Sequence, residues 1–303
     1  MPVTATDDIP DDDAFTPPLE ERRDALRGRI AEARHLLVCL DFDGTLAPIV
    51  EEPDEAMPLP EAETAVEALT DAVDVTTAVV SGRALADVRE RIDGPRLYAG
   101  NHGLELARDG PDDREGPTSH GCHGGANGRE ATDEPVAVHP IARKRARQVD
   151  AVCTALESAT AQIPNVGIEN KRLTATVHVR TVPPAFHGFV RETTHRLVDR
   201  FAGDALEVST GKQILEIGPA IPWGKGNAVR LLAADSPPGT VTIYVGDDVT
   251  DESAFRAIHP DGIGVYVGED GDTAASCRVP DPEAVARFLR WLEAIAVLDR
   301  HPT

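Results

Sequence analysis

Residues 35–46 read HLLVCLDFDGTL, an apolar run that ends in two aspartates and a glycine. The run does not alternate apolar with polar residues, which is typical of a strand covered on both faces of a parallel sheet. Three similar runs follow along the chain, at 75–80, 241–245 and 263–267. Helical patterns lie between or beside these runs, at about 61–72, 84–92, 225–234 and 283–297. Strands that alternate with helices predict an α/β fold built on a doubly wound, mostly parallel sheet.

The middle of the chain has a different pattern. Residues 173–179, LTATVHV, alternate apolar with polar side chains. Helical patterns at about 140–160 and 184–201 flank this strand, and two short strand patterns follow at about 205–209 and 213–217. A sheet with one polar face indicates a small α+β module inserted into the larger domain.

These patterns predict three parts of the chain. Residues 22–107 and 213–303 form the larger domain, and residues 108–212 form the inserted α+β module. Residues 108–135, rich in Gly, Asp and Pro, are predicted as a mobile loop. Residues 1–21 have the acidic, weakly hydrophobic composition of a disordered tail.

The net charge of the 303-residue chain is strongly negative. Asp and Glu number 52 against 30 Lys and Arg, which gives a formal charge of −22. This charge argues against nucleic acid or an anionic membrane surface as a partner. The basic residues include only four lysines, at 144, 171, 212 and 225. An acid excess with little lysine is typical of halophilic proteins, and it suggests that the remaining lysines serve sites that need an ammonium group.

Cysteines occur singly, at 39, 122, 153 and 277, without the spacing of a zinc site or a disulfide framework. The first 20 residues have no secretory signal pattern, and no run of 18 apolar residues occurs. We therefore expect reduced cysteines and a cytoplasmic location.

Three predicted strands end in polar motifs. Asp41-Phe42-Asp43-Gly44 follows the first strand, Ser81-Gly82-Arg83 the second, and Gly246-Asp247-Asp248 the strand at 241–245. Because open α/β sheets build their sites at the carboxyl ends of strands, we expect these residues to meet in one crevice. The segment Trp223-Gly224-Lys225-Gly226 would bring a lysine there, and it does not fit the phosphate loop of nucleotide-binding proteins. Each aspartate taken alone is typical of solvated surface, and Ser81 alone also suits a helix N-cap.

The motifs together match a known family. DFDGTL, SGR, NHGLE (101–105), IENK (168–171), GKQILEI (211–217), WGKG and GDDVTDE (246–252) occur in family order over about residues 30–270. The chain resembles the haloacid-dehalogenase (HAD) superfamily of aspartyl phosphotransferases and, within it, the trehalose-6-phosphate phosphatases. The resemblance implies a HAD-like sheet, similar to a Rossmann core, in a catalytic core formed by residues 22–107 and 213–303. It also implies that residues 108–212 are an inserted α+β cap that recognises the substrate.

The resemblance also implies catalytic roles. Asp41 would be the nucleophile that becomes an aspartyl-phosphate, and Asp43 the general acid and base. Ser81 and turn amides would bind the phosphoryl oxygens, and Lys225 would balance their charge. Asp41, the backbone carbonyl of Asp43 and Asp247 would hold Mg²⁺. Two further acids, Asp248 and Asp251, would act through water or orient Lys225.

By the same resemblance, a set of polar residues would bind the sugar phosphate: Gly82, Arg83, Asn101, His102, Glu169, Lys171, Lys212 and Glu216. A packed core histidine is an equally good interpretation of His102. The chain departs from the family at Gly218, where the family commonly has Arg.

The implied reaction is the Mg²⁺-dependent hydrolysis of trehalose 6-phosphate to trehalose and phosphate. The chain length leaves no room for a fused synthase, so we expect a separate trehalose-6-phosphate synthase to supply the substrate. The alternatives are another sugar-phosphate phosphatase, a hexose phosphomutase of the same superfamily, or a non-catalytic phosphate-sensing protein. The ending GDDVTDE favours the phosphatase over the mutase, and the presence of Asp41, Asp43 and Lys225 favours an enzyme over a sensor.

Overall fold

The computed structural model describes residues 16–50, 52–108, 136–211, 213–269 and 271–296. The helices in this part of the chain are α1 Leu19–Glu32, α2 Pro60–Asp71, α3 Leu85–Arg91, α4 Pro140–Thr160, α5 Pro184–Ala202, α6 Lys225–Ala234, α7 Glu252–Ile258 and α8 Pro282–Ala294. The strands are β1 His35–Leu40, β2 Val75–Val80, β3 Leu97–Gly100, β4 Glu105–Arg108, β5 Ala137–Val138, β6 Gly167–Asn170, β7 Ala175–His178, β8 Leu206–Gly211, β9 Ile214–Pro219, β10 Thr240–Gly246, β11 Ile263–Val267 and β12 Cys277–Val279.

Eight strands form the main sheet, in the order β12-β11-β10-β1-β2-β3-β4-β5. The strands from β12 to β3 are parallel to their neighbours, and β4 and β5 add antiparallel pairs at one edge. β1 lies between β10 and β2, and its residues from Leu36 to Leu40 are all fully buried. Helices cover both faces: α2 and α8 pack together on one face, and α6 and α7 on the other. The apolar run at 35–40 is therefore the central strand of a covered parallel sheet, as predicted.

Four antiparallel strands form a second sheet, in the order β6-β7-β9-β8. One face packs against α4 and α5 around a separate apolar core that includes Val152, Val177 and Ile217. The alternation at 173–179 predicts a strand with one buried face, and Ala175 and Val177 are indeed buried in that core. We refer to residues 140–219, which contain this sheet and its two helices, as the small module.

Two predicted boundaries change. Residues 16–21 had been included in a disordered tail, but α1 begins at Leu19, and Arg278 of β12 donates hydrogen bonds to the carbonyls of Thr16 and Pro17. The charged sequence of α1 buries only a narrow stripe of three apolar residues, which explains why this helix was not predicted.

The predicted cap end at residue 212 falls between β8 and β9, which pair along their whole length, so the small sheet extends to Pro219. Residues 1–15 and 109–135, which hold most of the predicted tail and loop, lie outside the described residues. The division into core and cap stays a prediction.

None of the helices in the described ranges combines the length and the apolar character needed to cross a membrane. Cys39, Cys153 and Cys277 are free and buried, and burial raises the pKa of the Cys39 and Cys277 thiols to about 12. These thiols are therefore inert packing residues at neutral pH.

The acidic charge of the chain leads to a prediction about salt. Mutual repulsion among the excess carboxylates of a −22 chain is strongest in dilute buffer, where the Debye length is about 30 Å at 0.01 M, and weakest in molar salt, where it is about 3 Å. We expect the melting temperature, followed by circular dichroism, to rise as KCl is added to molar concentration. An equal osmolality of an uncharged osmolyte is the control. A melting temperature that stays constant or falls in KCl would contradict this explanation.

Candidate active site

The polar motifs meet at the carboxyl edge of the main sheet. β1, β2 and β10 are adjacent and parallel, so Asp41, Ser81 and Asp247 all follow strand ends on the same side. The backbone amide of Asp41 donates to the carbonyl of Val245 at 2.9 Å, which extends the pairing of β1 with β10 by one residue. The sheet topology thus brings together residues that are more than 200 positions apart in the chain.

A tight turn after β1 sets the position of Asp43. The Phe42 carbonyl accepts hydrogen bonds from the amides of the next residues in the turn, Leu46 and Ala47. Gly44 has a φ of +75°, and a Cβ at this position would overlap the carboxylate of Asp247. Only glycine combines this backbone conformation with the close approach. The DFDG turn therefore packs directly against the acidic residue that follows β10.

Lys225 joins the first and third motifs. It is the first residue of α6 and is only 3% exposed. Its Nζ lies 2.8 Å from Asp41 Oδ2 and 2.7 Å from Asp251 Oδ1. Burial alone would lower the pKa of Lys225, but the carboxylates of Asp251 and Asp41 raise it above its usual value. The site therefore holds a permanent buried cation beside Asp41.

Asp251 positions this lysine. The carboxylate is fully buried, accepts a hydrogen bond from Tyr244 Oη at 2.6 Å, and accepts another from the Asp248 amide at 2.9 Å. These contacts, together with Lys225, occupy both oxygens of Asp251. Asp251 thus contacts Lys225 directly, and Asp248 contacts Asp251 through its backbone amide; their predicted roles stay predictions. Tyr244 was not predicted, because it lies within the strand at 241–245 and not in one of the polar motifs.

Three carboxylates lie close enough to share a cation. One oxygen atom each from Asp41, Asp247 and Asp251 lies within 4.8 Å of the others. Oxygen donors of this kind suit a hard divalent cation. The sequence predicted Asp41 and Asp247 in this role, together with the backbone carbonyl of Asp43. The carboxylate of Asp43 points elsewhere, toward Arg83.

Arg83 holds Asp43 with two hydrogen bonds. Its Nε and Nη2 each donate at 2.7 Å to one oxygen of the Asp43 carboxylate. Nη1 donates to Asp87 at 2.9 Å, and Nη2 also donates to the Pro53 carbonyl. Arg83 was predicted to bind substrate, but in this structure its guanidinium is buried and engaged by protein groups. It acts here as the group that orients Asp43.

The loop after β2 is braced by a turn at Asn101 and His102. Both residues have left-handed backbone angles, with φ of 49° and 56°. The Asn101 amide donates to the Arg83 carbonyl at 2.7 Å, and the His102 amide to the Ser81 carbonyl at 2.9 Å. A Cβ at Gly82 would lie 2.6 Å from His102 Cε1, so the imidazole stacks directly over Gly82. Ser81 itself is 1% exposed.

Asn101 also ties the small module to this loop. Its side chain is fully buried, accepts from Thr174 Oγ1 at 2.6 Å, and donates to Glu105 Oε2 at 2.7 Å and to the Lys171 carbonyl at 3.3 Å. Asn101 was predicted to bind substrate, but these contacts occupy its amide. Thr174 and Glu105 were not predicted as site residues. The contact with Thr174 comes from the small module, and the contact with Glu105 depends on the turn between β3 and β4.

The remaining predicted sugar-binding residues come from the small module. Lys171 Nζ donates to the Gly82 carbonyl at 3.1 Å and lies 3.7 Å from Glu169 Oε2. Glu216 Oε1 lies 3.3 Å from His102 Nε2. Burial would raise the pKa of Glu216, but the hydrogen bond and charge of His102, with the ammonium groups of Lys171 and Lys225, lower it to about 2. Lys212 lies outside the described residues.

A cavity of about 460 Å³ opens beside these groups, in the size range of small-molecule sites. Lys225, His102 and Glu216 line it, together with other residues of β8, β9 and α7. Trp223, the aromatic residue of the WGKG segment, forms part of its wall. The arrangement combines a buried carboxylate, a buried cation beside it, a cluster of acids and a polar cavity, which are groups that phosphoryl transfer can use.

Comparisons with known proteins agree with this chemistry. The family model for trehalose-phosphatase matches residues 39–282. Trehalose-phosphate phosphatase B of Arabidopsis thaliana is 34% identical over 274 residues, which are 86% of this chain and 67% of that protein. The trehalose-phosphate phosphatase of Mycobacterium ulcerans is 35% identical over 260 residues, or 83% of this chain and 60% of that protein. The chain thus spans about two thirds or less of these relatives.

Solved structures confirm the predicted fold class. The C-terminal domain of the Candida albicans trehalose-6-phosphate phosphatase matches with a TM-score of 0.70 and 22% identity, over 93% of this chain and 99% of that one. A haloacid dehalogenase-like hydrolase from Bacteroides thetaiotaomicron matches with a TM-score of 0.54 and 14% identity, over 85% of this chain and 99% of that one. At these identities the likeness concerns the fold alone, and the fold is HAD-like.

Proposed function

Because the chain belongs to the trehalose-phosphatase family, we propose that it hydrolyses trehalose 6-phosphate to trehalose and inorganic phosphate. The observation that carries this proposal is the buried Lys225 ammonium, 2.8 Å from Asp41 and 2.7 Å from Asp251. A phosphate monoester dianion repels an attacking carboxylate, and a fixed cation beside that carboxylate reduces the repulsion.

The first step is attack on phosphorus by the Asp41 carboxylate. A bond forms between an oxygen of Asp41 and phosphorus while the bond from phosphorus to the sugar oxygen breaks. Asp43 donates its proton to the departing oxygen, which leaves as a hydroxyl of trehalose. Asp43 must carry a proton at this point, so its ion pair with Arg83 has to loosen when the ester binds.

The second step restores Asp41. The Asp43 carboxylate takes a proton from water, and the water oxygen attacks phosphorus as the bond from phosphorus to Asp41 breaks. Phosphate leaves, and Asp41 is free again. Ser81 and the amides of the neighbouring turns would hold the phosphoryl oxygens in both steps, and Lys225 would balance their charge.

The residues present fit a divalent cation, which we propose to be Mg²⁺. Asp41, Asp247 and the Asp43 carbonyl would hold it, whereas the oxygens of Asp251 are used by Lys225, Tyr244 and the Asp248 amide. Such a cation, when bound, neutralises charge on the phosphoryl group. Hard oxygen donors favour Mg²⁺ over zinc.

Removal of the metal should abolish the phosphatase activity. We expect phosphate release to stop in excess chelator and to recover when Mg²⁺ is added back in excess, because the carboxylates around Asp41 then regain their counter-charge. Zinc added alone should not restore the rate. The measurement is phosphate release from trehalose 6-phosphate after each addition, with the melting temperature recorded alongside. Full activity in chelator, or full recovery with zinc, would contradict the assignment.

The polar face of the small module would recognise the sugar. We propose that the module acts as a cap, with Glu169, Lys171 and Glu216 contacting sugar hydroxyls. Two observations support this assignment: Lys171 Nζ lies 3.1 Å from the Gly82 carbonyl oxygen, and Glu216 lines the cavity. Binding energy from the remote sugar then helps to position phosphorus against Asp41.

Glu169→Ala and Lys171→Ala should each lower kcat/KM for trehalose 6-phosphate by about 10-fold or more, or ~1.4 kcal/mol of transition-state stabilisation. The loss should be larger than the loss for a small aryl phosphate, which cannot reach the cap. Lys144→Ala, on the exposed face of α4, is the matched control. Equal losses on both substrates would show that these residues support the phosphate site or the fold.

The substrate itself is best tested with a panel. Phosphate release should be compared for trehalose 6-phosphate, glucose 6-phosphate, sucrose 6-phosphate and an aryl phosphate, with Mg²⁺ present. The proposal requires the highest kcat/KM for trehalose 6-phosphate.

We further propose a cytoplasmic location, which the buried free thiols of Cys39, Cys153 and Cys277 support. We also propose that a separate synthase supplies the substrate.

A further inference from the structure

The cavity extends well beyond the catalytic groups. Its inner end is at Lys225, which contacts Asp41, so this end is the phosphate end. The cavity is also lined by residues of the β8–β9 hairpin of the small module and of the segment from Val249 to Arg256. Its volume of about 460 Å³ is much larger than a phosphate group needs.

Two opposed residue pairs form the hairpin wall. The register of β8 and β9 places Ser209 opposite Glu216 and Glu207 opposite Gly218, and all four residues line the cavity. Gly218 has no side chain, and a Cβ there would meet only Thr174 Cγ2, at 3.6 Å. The space beside Glu207 is therefore open. The Glu207 carboxylate is exposed and makes no hydrogen bond or ion pair with another described residue.

The segment from Val249 to Arg256 carries the complementary charge. Arg256 of α7 lines the cavity with a side chain that is 66% exposed, and one nitrogen, Nη2, contacts Glu252 at 3.3 Å. The other guanidinium donors of Arg256 have no partner in the described part of the chain. The part of the cavity lined by Glu207, Ser209 and Arg256, which we call the outer half, thus offers a carboxylate acceptor, a hydroxyl group and a guanidinium donor.

We propose that this outer half binds the hexose ring that carries no phosphate, with Glu207, Ser209 and Arg256 as its specificity-determining residues. The inference rests on the proposed function and assigns the second half of its substrate. Hydroxyl groups both donate and accept, so a neutral sugar ring can use the carboxylate and the guanidinium at once. A second anionic group would meet Glu207 and Glu216 and be repelled. Trp223 adds an apolar wall against which a sugar face can pack.

The first test compares two substrates that differ only by the second ring. For Glu207→Gln and Arg256→Ala, the ratio of kcat/KM for trehalose 6-phosphate to that for glucose 6-phosphate should fall about 10-fold, the effect of losing one charge-assisted hydrogen bond. The matched controls are Glu192→Gln on α5 and Arg230→Ala on α6, both exposed and outside the cavity. The controls should leave the ratio unchanged.

The second test measures binding without turnover. Trp223 lines the cavity, whereas Trp291 packs against Phe288 in the main core, at 5.8 Å between ring centroids. In a Trp291→Phe background, titration with trehalose should change the fluorescence of Trp223 and saturate. Glu207→Gln and Arg256→Ala should raise the Kd for trehalose by about 10-fold, and the two control variants should not.

The outcomes separate this inference from the proposed function. Failure of the unmodified enzyme to hydrolyse trehalose 6-phosphate overturns the proposed function, and the trehalose titration then decides the inference alone. If the enzyme does hydrolyse it but the substrate ratio and the Kd are unchanged in both variants, the outer subsite is wrong. Equal losses on both substrates would also overturn it, because they place Glu207 and Arg256 at the phosphate end.

Discussion

Asp41→Asn should abolish phosphate release from every phosphate monoester, by at least about 10³-fold, while leaving the fold intact. An amide has nearly the same shape as a carboxylate, but it does not attack phosphorus to form an acyl phosphate. Lys225 keeps its contact with Asp251 at 2.7 Å, so its buried ammonium stays paired in the variant. The loss is therefore a loss of chemistry and not of structure.

The measurement is phosphate release from trehalose 6-phosphate and from an aryl phosphate, beside thermal unfolding. Asp71→Asn, at the exposed end of α2, is the matched control and should behave as the unmodified enzyme does. Near-normal turnover by Asp41→Asn would remove Asp41 as the nucleophile. Loss of turnover together with a large fall in melting temperature would show that Asp41 is needed for folding.

Lys225→Met should cost both activity and stability. The substitution keeps an unbranched side chain at the start of α6 but leaves the buried carboxylates of Asp41 and Asp251 without their cation. Removing one partner of a buried ion pair costs about 3–5 kcal/mol, and the free energy of unfolding should fall by roughly this amount. Phosphate release should be lost as well, because the repulsion between Asp41 and the ester is no longer balanced.

A double variant separates the two effects. Lys225→Met combined with Asp251→Asn removes one of the two uncompensated carboxylates, so it should recover much of the lost stability without recovering activity. Urea unfolding and phosphate release are the two measurements, and Lys144→Met is the matched control. A stable and active Lys225→Met variant would contradict the role of this lysine. A double variant less stable than Lys225→Met would show that charge repulsion is not the cause of the instability.

The sequence predicted the parts of the fold in which local pattern and function coincide. β1, β2, β10 and β11 are apolar runs buried on both faces, and motifs follow three of them at the carboxyl edge, so their assignment needed no tertiary information. Lys225 was predicted from its motif and from the scarcity of lysine. α1 was missed because its helical face is mostly charged, and the tail boundary was misplaced for the same reason.

The contacts between motifs could not be predicted in the same way. The bidentate pairing of Arg83 with Asp43 joins two loops that are 40 residues apart, and nothing in either motif distinguishes an arginine that binds substrate from one that binds an aspartate. The role of Asn101 depends on a left-handed backbone and on the approach of Thr174 from another sheet. The end of the module was misplaced at residue 212 because β9 both pairs with β8 in a hairpin and leads the chain back to the main sheet.

Gly44 and Gly82 show what this architecture means for the evolution of the enzyme. Neither residue has a side chain, yet a single methyl at Gly44 would collide with Asp247 and one at Gly82 with the ring of His102. At each glycine, the space that a side chain would fill is occupied by a neighbouring side chain, Asp247 at Gly44 and His102 at Gly82. The constraint on these two positions is therefore steric, because any larger residue would displace the neighbouring side chain. We therefore expect Gly44 and Gly82 to tolerate few substitutions, although neither contributes a side chain to the crevice.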